Sequence, residues 1–375
     1  MAESKARKFE EELEKEYERV EASIKKPNVL LVGATGVGKS SLVNLIFGEE
    51  LAEVGVGEPV TEAINIYRKP DVSIVLYDTA GYEIGSKKQE KFSKEVVEFV
   101  IDNQRSVDRQ MHLAWYCIDA AGHRITDLDL KTIKKIYCSN IPVGVLFTKC
   151  DLVSLEEIES LETELYNELP NISSFRLTTL NDPSLDYLDL NKLTSWSIKR
   201  LPQGLKLGFI KAQKRNLDEK KAEAKKAIKQ HVSGATLIGG SPIPFSDAPL
   251  LITNQTGMFA RILNIYDMEY MIKDARMILS SIGIKKIISG SGIWLAAQIT
   301  KFIPVKGTVI GGLISAGVAA AITTAIGLAV SEMCYRISKA AIEGKEEELK
   351  DIVNNFKPML GELFREYYEE KNEIS

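Results

Sequence analysis

The chain has 375 residues, of which 45% are hydrophobic and 27% charged, with a net charge of −4. That length suggests two or three domains, each able to bury a core, and the charge balance gives no whole-chain case for a nucleic-acid partner. Cys117, Cys138, Cys150 and Cys334 lie far apart without metal-ligand spacing, and His112, His123 and His231 form no zinc motif, which excludes a disulfide framework or a zinc site as the organising principle. Reduced thiols in a cytoplasmic setting are the expectation, and the charged N-terminus lacks the apolar core of a signal peptide.

Phe9, Leu13, Tyr17, Val20 and Ile24 recur at three- and four-residue intervals among Glu, Lys and Arg, so residues 1–27 read as an amphipathic helix ending near Pro27. From Asn28 to Pro202 strands and helices alternate. Strands are expected at Asn28–Val32, Ala63–Tyr67, Ser73–Tyr77, Leu113–Asp119, Val143–Thr148 and Phe175–Thr179. Continuous apolar strands separated by helical patterns predict a mostly parallel sheet with helices on both faces over residues 28–202.

The first strand runs into Gly33-Ala34-Thr35-Gly36-Val37-Gly38-Lys39-Ser40-Ser41, followed by helical spacing to Phe47. Glycines at 33, 36 and 38 let a backbone turn its N–H groups, including those of Thr35 and Val37, around a phosphate. Lys39 supplies charge to the β- and γ-oxygens, and Ser40 offers a hydroxyl to Mg²⁺. The start of the helix, at Ser40 and Ser41, adds its positive dipole end to the same site. Strand, loop and helix in this order point to a nucleoside triphosphate.

Thr61 lies between that helix and the next strand, where its hydroxyl would complete a Mg²⁺ shell with Ser40 and Asp78. Asp78-Thr79-Ala80-Gly81 closes a strand, placing a carboxylate for Mg²⁺ and an unobstructed Gly81 N–H for the γ-phosphate. Lys39, Thr61 and Gly81 are therefore the candidate catalytic residues. Thr148-Lys149-Cys150-Asp151 ends another apolar strand. The Asp151 carboxylate can accept from guanine N1–H and its exocyclic amine, Lys149 would lie along the base, and Thr148 would tie this loop to the phosphate loop. Together these select GTP and GDP, with loops that order on the γ-phosphate and relax after hydrolysis.

Past Pro202 the composition changes. Residues 203–232 are rich in lysine and read as a basic helical connector; residues 233–375 read as a hydrophobic helical domain. Residues 239–249 carry too much Pro and Gly for one continuous helix, and apolar helical patterns follow at Leu250–Tyr266 and Met268–Ile282. Gly307–Val330 has no charged residue and has the length to cross a bilayer, with small residues at Gly307, Gly311, Ala316 and Ala320 suited to close helix contact. A buried helical hairpin explains the same stretch. Residues 349–367 form a further amphipathic pattern that could pair with the N-terminal helix.

With Gly33–Ser41, Thr61, Asp78–Gly81 and Thr148–Asp151 in order, the chain resembles a regulatory P-loop GTPase of the Era and TrmE-like branch. Residues 239–255 and 303–308 look like the helical domain of bacterial YcjF-type proteins, and the arrangement is similar to that of immunity-related GTPases. The resemblance implies an α/β GTPase domain plus an all-α domain that includes the N-terminal helix. It implies Mg²⁺-dependent hydrolysis of GTP to GDP and phosphate. Thr178 and Thr179 are the candidates for the family's fifth motif. Two departures bear on rate: Tyr82 stands where Ras-like proteins carry a water-positioning Gln, and Gly36 replaces the Asn associated with potassium activation. Slow intrinsic turnover is expected, aided by a partner or by a homodimer across the nucleotide face, with Arg68, Arg105, Arg109 and Arg124 as candidate arginines in trans. The alternatives are a GTP-bound scaffold that hardly hydrolyses and an Era-like RNA- or ribosome-binding GTPase. The basic segment and the apolar domain together suggest contact with an anionic surface of the cytoplasmic membrane, peripheral or integral.

Overall fold

The structure, a computed structural model, describes residues 2–48, 58–61, 64–69, 72–79, 81, 87–106, 108–178, 188–237, 249–268, 316–355, 358–359 and 362. It divides into two units: Ile24–Asn216, and Met1–Ser23 together with Leu217–Ser375. The N-terminal helix α1 (Ala2–Ser23) thus belongs with the C-terminal part of the chain.

The first unit runs β1 (Asn28–Gly33), α2 (Lys39–Phe47), β2 (Glu58–Thr61), β3 (Ile64–Arg68), β4 (Val75–Thr79), α3 (Lys87–Asn103), β5 (Leu113–Asp119), α4 (Asp127–Cys138), β6 (Val143–Thr148), α5 (Leu155–Glu168), β7 (Ser173–Arg176), α6 (Leu190–Arg200) and α7 (Gln203–Ala212). The described strands form a seven-stranded sheet in the order β2-β3-β4-β1-β5-β6-β7. Pairing is parallel from β4 through β7, while β3 is antiparallel to both β2 and β4. The chain winds outward from β1 in both directions, and right-handed crossovers then put helices on opposite faces. Burial on both faces is why Val29, Leu30, Leu31 and Val32 form an unbroken apolar run.

Two strand limits differ from the sequence reading. β4 begins at Val75 and takes in Asp78 and Thr79, and β7 is centred earlier, at Ser173–Arg176. The short β2 was not anticipated, because Pro59 argues against a strand; as an edge strand it needs no amide donor on its outer side. Two helix starts are fixed by reciprocal caps. Thr126 and Asp129 form one capping box and Ser154 and Glu157 the other, each satisfying two otherwise unpaired amides.

The division between units falls after Asn216, not after Pro202. The segment expected as a single basic connector is split, with α7 in the sheet unit and α8 (Leu217–Leu237) in the helical one. The reason is aromatic packing. Phe209 of α7 is fully buried, edge-on to Phe47 at 5.9 Å and to Trp115 at 6.1 Å, while Phe47 and Trp115 stack at 6.0 Å. Trp115 Nε1 donates to Ser197 Oγ of α6 at 3.2 Å, and the Lys214 amide donates to the Ile46 carbonyl of α2. Lys211 is buried as well.

In the helical unit α8 and α9 (Pro249–Tyr266) pack with each other and with α10 (Ala316–Ile342), α9 also packs with α1, and α11 (Leu349–Asn354) follows against α10. The side-chain amide of Asn264 donates to the Tyr17 carbonyl of α1 at 3.2 Å. A β-carbon on Gly327 would lie 2.8 Å from Ile228 and 3.1 Å from Met258, so three helices converge where only glycine fits. Close helix contact therefore does occur in this apolar stretch, at Gly327. Gly307 and Gly311, with all of residues 269–315 and so the Met268–Ile282 pattern beyond Met268, lie outside the described residues. No described helix is long and apolar enough to cross a membrane. The basic face of α8 is partly engaged internally: Lys220 is buried, Lys221 meets Glu332 at 2.7 Å and lies 4.8 Å from the Tyr335 ring, and Lys226 pairs with Glu223. Burial raises the Glu332 carboxyl, but hydrogen bonds from Lys221 and Arg336 more than offset this and hold it below the usual range.

Phe209→Ala should destabilise the sheet unit by about 3–5 kcal/mol, the usual cost of truncating a buried phenylalanine. Urea unfolding of the full chain checks this. A change below about 0.5 kcal/mol, as at exposed sites, would return residues 203–212 to the status of a linker.

Candidate functional site

Gly33, Thr79, Asp119 and Thr148 end β1, β4, β5 and β6 at one edge of the sheet, where parallel α/β folds gather their ligands. Register aligns them: Leu31 opposite Asp78, Gly33 opposite Cys117, and Asp119 opposite Thr148. Thr61 reaches the same edge through β3, since it pairs with Ile64 and Ile64 with Thr79.

The loop after β1 turns tightly into α2. A β-carbon on Gly33 would lie 2.5 Å from the Cys117 carbonyl oxygen, so only glycine permits this approach of β1 to β5. Gly38 caps α2 at φ 93, a left-handed conformation that side chains resist. Lys39 is buried at 8% exposure, its ammonium donating to the carbonyls of Gly33 at 3.0 Å and Ala34 at 3.1 Å. Thr35, Gly36, Ser40 and Ser41 surround it, with Thr35, Ser40 and Ser41 exposed and Val37 buried.

Gly81 sits directly on this loop. A β-carbon there would fall 2.5 Å from Thr35 Oγ1 and 2.7 Å from both Thr35 N and Cα, and the Gly81 amide donates to the Thr79 carbonyl at 2.8 Å. Asp78 stands beside it. Its Oδ1 is buried with no hydrogen-bond partner among the described residues, and the same is true of Thr79 Oγ1. Burial pushes the Asp78 carboxyl up to about 6, against the pull of the Lys39 ammonium. An orphaned carboxylate oxygen and an orphaned threonine hydroxyl at one strand end are hard-oxygen donors of the kind that a largely hydrated Mg²⁺ takes. Among the described residues no cluster of three or more His, Cys, Asp or Glu could hold a metal by itself.

At the other end of the edge, the Thr148 hydroxyl donates to the Val37 carbonyl at 2.6 Å, with the Ile118 carbonyl 3.1 Å away. This joins the Thr-Lys-x-Asp loop to the phosphate loop. Lys149 is left-handed at φ 57, and its ammonium meets Asp119 Oδ2 at 2.6 Å. Thr178 donates to Asp151 Oδ1, and the Cys150 amide donates to the Leu177 carbonyl. Thr178 is thus the fifth-loop residue that touches Asp151; Thr179 lies outside the described residues, as do Ala80 and Tyr82. Burial raises the thiols of Cys117 and Cys150, to about 12 and about 11, which leaves them un-ionised.

Two findings were not legible in the sequence. The sequence marks Asp119 only as the end of a strand, and its approach to Lys149 follows from the β5–β6 register that sets it level with Thr148. Three of the four candidate arginines are far from the site: Arg68 pairs with Val75, itself opposite Asn28, and Arg105 and Arg109 precede the start of β5, so all three lie at the opposite end of the sheet from the phosphate loop. Arg124, which follows β5, is exposed on the same edge as the site.

A phosphate loop between β1 and α2 and a second loop tied to it define a P-loop nucleotide-binding protein. Two family models match the chain: one described as 50S ribosome-binding GTPase over residues 28–149, and a domain of unknown function, DUF697, over residues 192–359. The chain belongs to the P-loop GTPase family, with a YcjF-type C-terminal domain. It is 32% identical over 135 residues to "Probable GTP-binding protein EngB" of Aquifex aeolicus (strain VF5), covering 35% of this chain and 70% of that protein. It is 30% identical over 169 residues to Septin-8-A of Danio rerio, covering 38% of this chain and only 39% of the septin. Solved structures that resemble it include a probable GTP-binding protein engB, at 16% identity and TM-score 0.33 over 46% of this chain and 97% of that one. Another is Era in complex with MgGDPNP and nucleotides 1506–1542 of 16S ribosomal RNA, at 21% identity and TM-score 0.33 over 48% of this chain and 58% of that one.

Because Asp78 is more acidic unfolded than folded, its ionisation costs stability once pH rises above the unfolded value, and the penalty is complete above about 6. In the nucleotide-free protein Asp78→Asn should therefore raise stability at pH 7 to 8 by about 2 kcal/mol, with the gain shrinking as pH falls from 6 toward 4. Denaturant unfolding across that range checks the sign.

Proposed function

We propose that the protein binds Mg²⁺-GTP at this edge and hydrolyses it to GDP and phosphate, acting as a nucleotide-controlled switch. The observation that carries this reading is the pair of hydrogen bonds from Thr148 to Val37 and from Thr178 to Asp151. The first fixes the spacing between the base end and the phosphate end of a bound nucleotide. The second orients the carboxylate that would accept from guanine N1–H and the exocyclic amine, a pattern adenine does not offer.

In this reading Gly33, Thr35, Gly36, Val37, Gly38, Ser40 and Ser41 cradle the phosphates with backbone amides and hydroxyls, and Lys39 moves from the loop carbonyls to the β- and γ-oxygens. Ser40, Thr61 and Asp78 hold Mg²⁺, which when bound neutralises charge on the transferred phosphoryl group. Gly81 must release its amide from Thr79 to offer it to the γ-phosphate. That exchange is a change of state that the presence or absence of the γ-phosphate can bias, the elementary requirement of a switch. Tyr82 stands where Ras-like proteins carry a water-positioning Gln, which supports slow turnover unless a second copy or a partner supplies the missing group. Arg124 is the described arginine of the original candidates that remains on the correct edge. The helical unit would carry the signal to a partner or an anionic membrane surface; liposome flotation with GTP and with GDP tests the latter.

Asp151→Asn should shift preference from guanine to xanthine nucleotides by at least about tenfold, and Lys39→Ala should abolish nucleotide binding or turnover. Unchanged GTP binding and turnover in both variants would remove the assignment. Single-turnover phosphate release over a range of protein concentration separates the mechanisms. A rate that rises with concentration supports activation by a second copy; no phosphate at any concentration leaves a GTP-bound scaffold.

A further inference from the structure

Lys149 is held at both ends. Its backbone occupies the left-handed region at φ 57, a conformation costly for a residue with a side chain, and such strain persists only where the surroundings over-determine it. Its ammonium lies 2.6 Å from Asp119 Oδ2, on the neighbouring strand end. Asp119 is itself anchored: its Oδ1 accepts the Ala121 amide at 3.0 Å and caps the short turn 120–122, and its backbone is level with Thr148 in the β5–β6 ladder. The Lys149 charge is therefore directed to a carboxylate across the edge, not to the phosphate loop, where Lys39 already stands. What remains for a ligand is the apolar stem of Lys149, stretched from the end of β6 to the end of β5. An unbranched chain pinned at both ends presents a flat hydrocarbon wall, and ordering it in advance removes an entropy cost that binding would otherwise incur.

We propose that Asp119 is a positioning residue for guanine recognition: by holding the Lys149 ammonium, it lays the Lys149 stem as the surface on which the base stacks. This rests on the reading of Thr148–Asp151 as the base site. Asp119 acts at the base end, so GDP and GTP depend on it equally, and it leaves the choice among bases to Asp151.

The test is a double-mutant cycle on the full chain, read as GDP and GTP affinity. Asp119→Asn keeps an oxygen for the Ala121 amide while removing the charge that holds Lys149, and Lys149→Met keeps the stem while removing the ammonium. Asp119→Asn should weaken GDP and GTP alike by about fivefold. In the Lys149→Met background the same substitution should change affinity by less than about twofold, because its route through the ammonium is gone. Asp119→Glu, which retains the charge, should recover affinity to within about twofold of the starting protein. Equal losses from Asp119→Asn in both backgrounds would assign Asp119 to capping the turn alone and overturn the proposal, as would wild-type affinity in Asp119→Asn or an Asp119→Glu variant as weak as Asp119→Asn. A parent chain that binds neither nucleotide, or an Asp151→Asn variant that does not move toward xanthine, overturns the base-site reading and the proposal with it. A normal Asp151→Asn shift with a flat cycle overturns only the proposal.

Discussion

The hydrogen bond from the Thr148 hydroxyl to the Val37 carbonyl joins two loops separated by 111 residues of sequence, and the rest of the site depends on that junction. Each loop on its own is a short piece of irregular backbone at the end of a strand. Tied together, they have a fixed spacing, so a ligand that touches both must match one length. The tie is possible because β1, β5 and β6 are parallel neighbours whose C-terminal ends emerge on the same edge. It also requires Gly33, since any side chain there would collide with Cys117 and spread β1 from β5. Sheet topology, one glycine and one hydroxyl thus act as a single constraint.

Among the buried polar atoms of the sheet unit that lack a described partner, which include Asn44 Oδ1, Thr79 Oγ1 and Trp196 Nε1, Asp78 stands out because burial raises its carboxyl so far. A buried carboxylate oxygen with no described partner costs stability in the nucleotide-free chain, and burial has already raised its proton affinity. A local conflict of this kind is the sort that functional sites carry at a cost to stability. Lys39 shows the complementary arrangement. Its charge is accommodated by the carbonyls of Gly33 and Ala34 in its own loop. Gly81 is seated on Thr35 with its amide turned to the Thr79 carbonyl.

The helical unit is held by different means. Its described interior mixes large side chains such as Phe259, Ile262 and Met333 with small ones, with Ala325, Ala329 and Ala340 buried along α10 and Gly327 at the point where α8, α9 and α10 meet. Short side chains let helix backbones approach closely, which explains why so Gly- and Ala-rich a stretch can be the core of a helical bundle as readily as it resembles a membrane span. Within it, Asn264 reaches the Tyr17 carbonyl and the Tyr266 hydroxyl lies 3.2 Å from Ser331, polar contacts that set the alignment of one helix on another. Two lysines of α8 turn toward the interior, Lys220 buried and Lys221 paired with Glu332 of α10, while Lys225, Lys226 and Lys229 face water, because helix periodicity distributes the run over both faces.

The amino-acid order alone determined the alternation of strands and helices, the limits of β5 and β6, and the two loop motifs at Gly33–Ser41 and Thr148–Asp151. Those features are local: each is written in a few adjacent residues by periodicity, glycine placement or side-chain chemistry. The tertiary structure decided what no local pattern encodes. Burial of Phe209 between Phe47 and Trp115 moved the domain division past Asn216, pairing to β3 made a strand of Glu58–Thr61 despite Pro59, and strand order sent Arg68, Arg105 and Arg109 to the wrong end of the sheet for the site. It also brought Asp119 to Lys149 and Thr178 to Asp151, residues far apart in the chain whose side chains meet only because β5, β6 and the segment after β7 end side by side. Motifs name the chemistry of a site because the chemistry needs particular residues at particular spacings. The residues that support those motifs are chosen by whichever strand ends happen to lie next to them, and that is a property of the folded sheet.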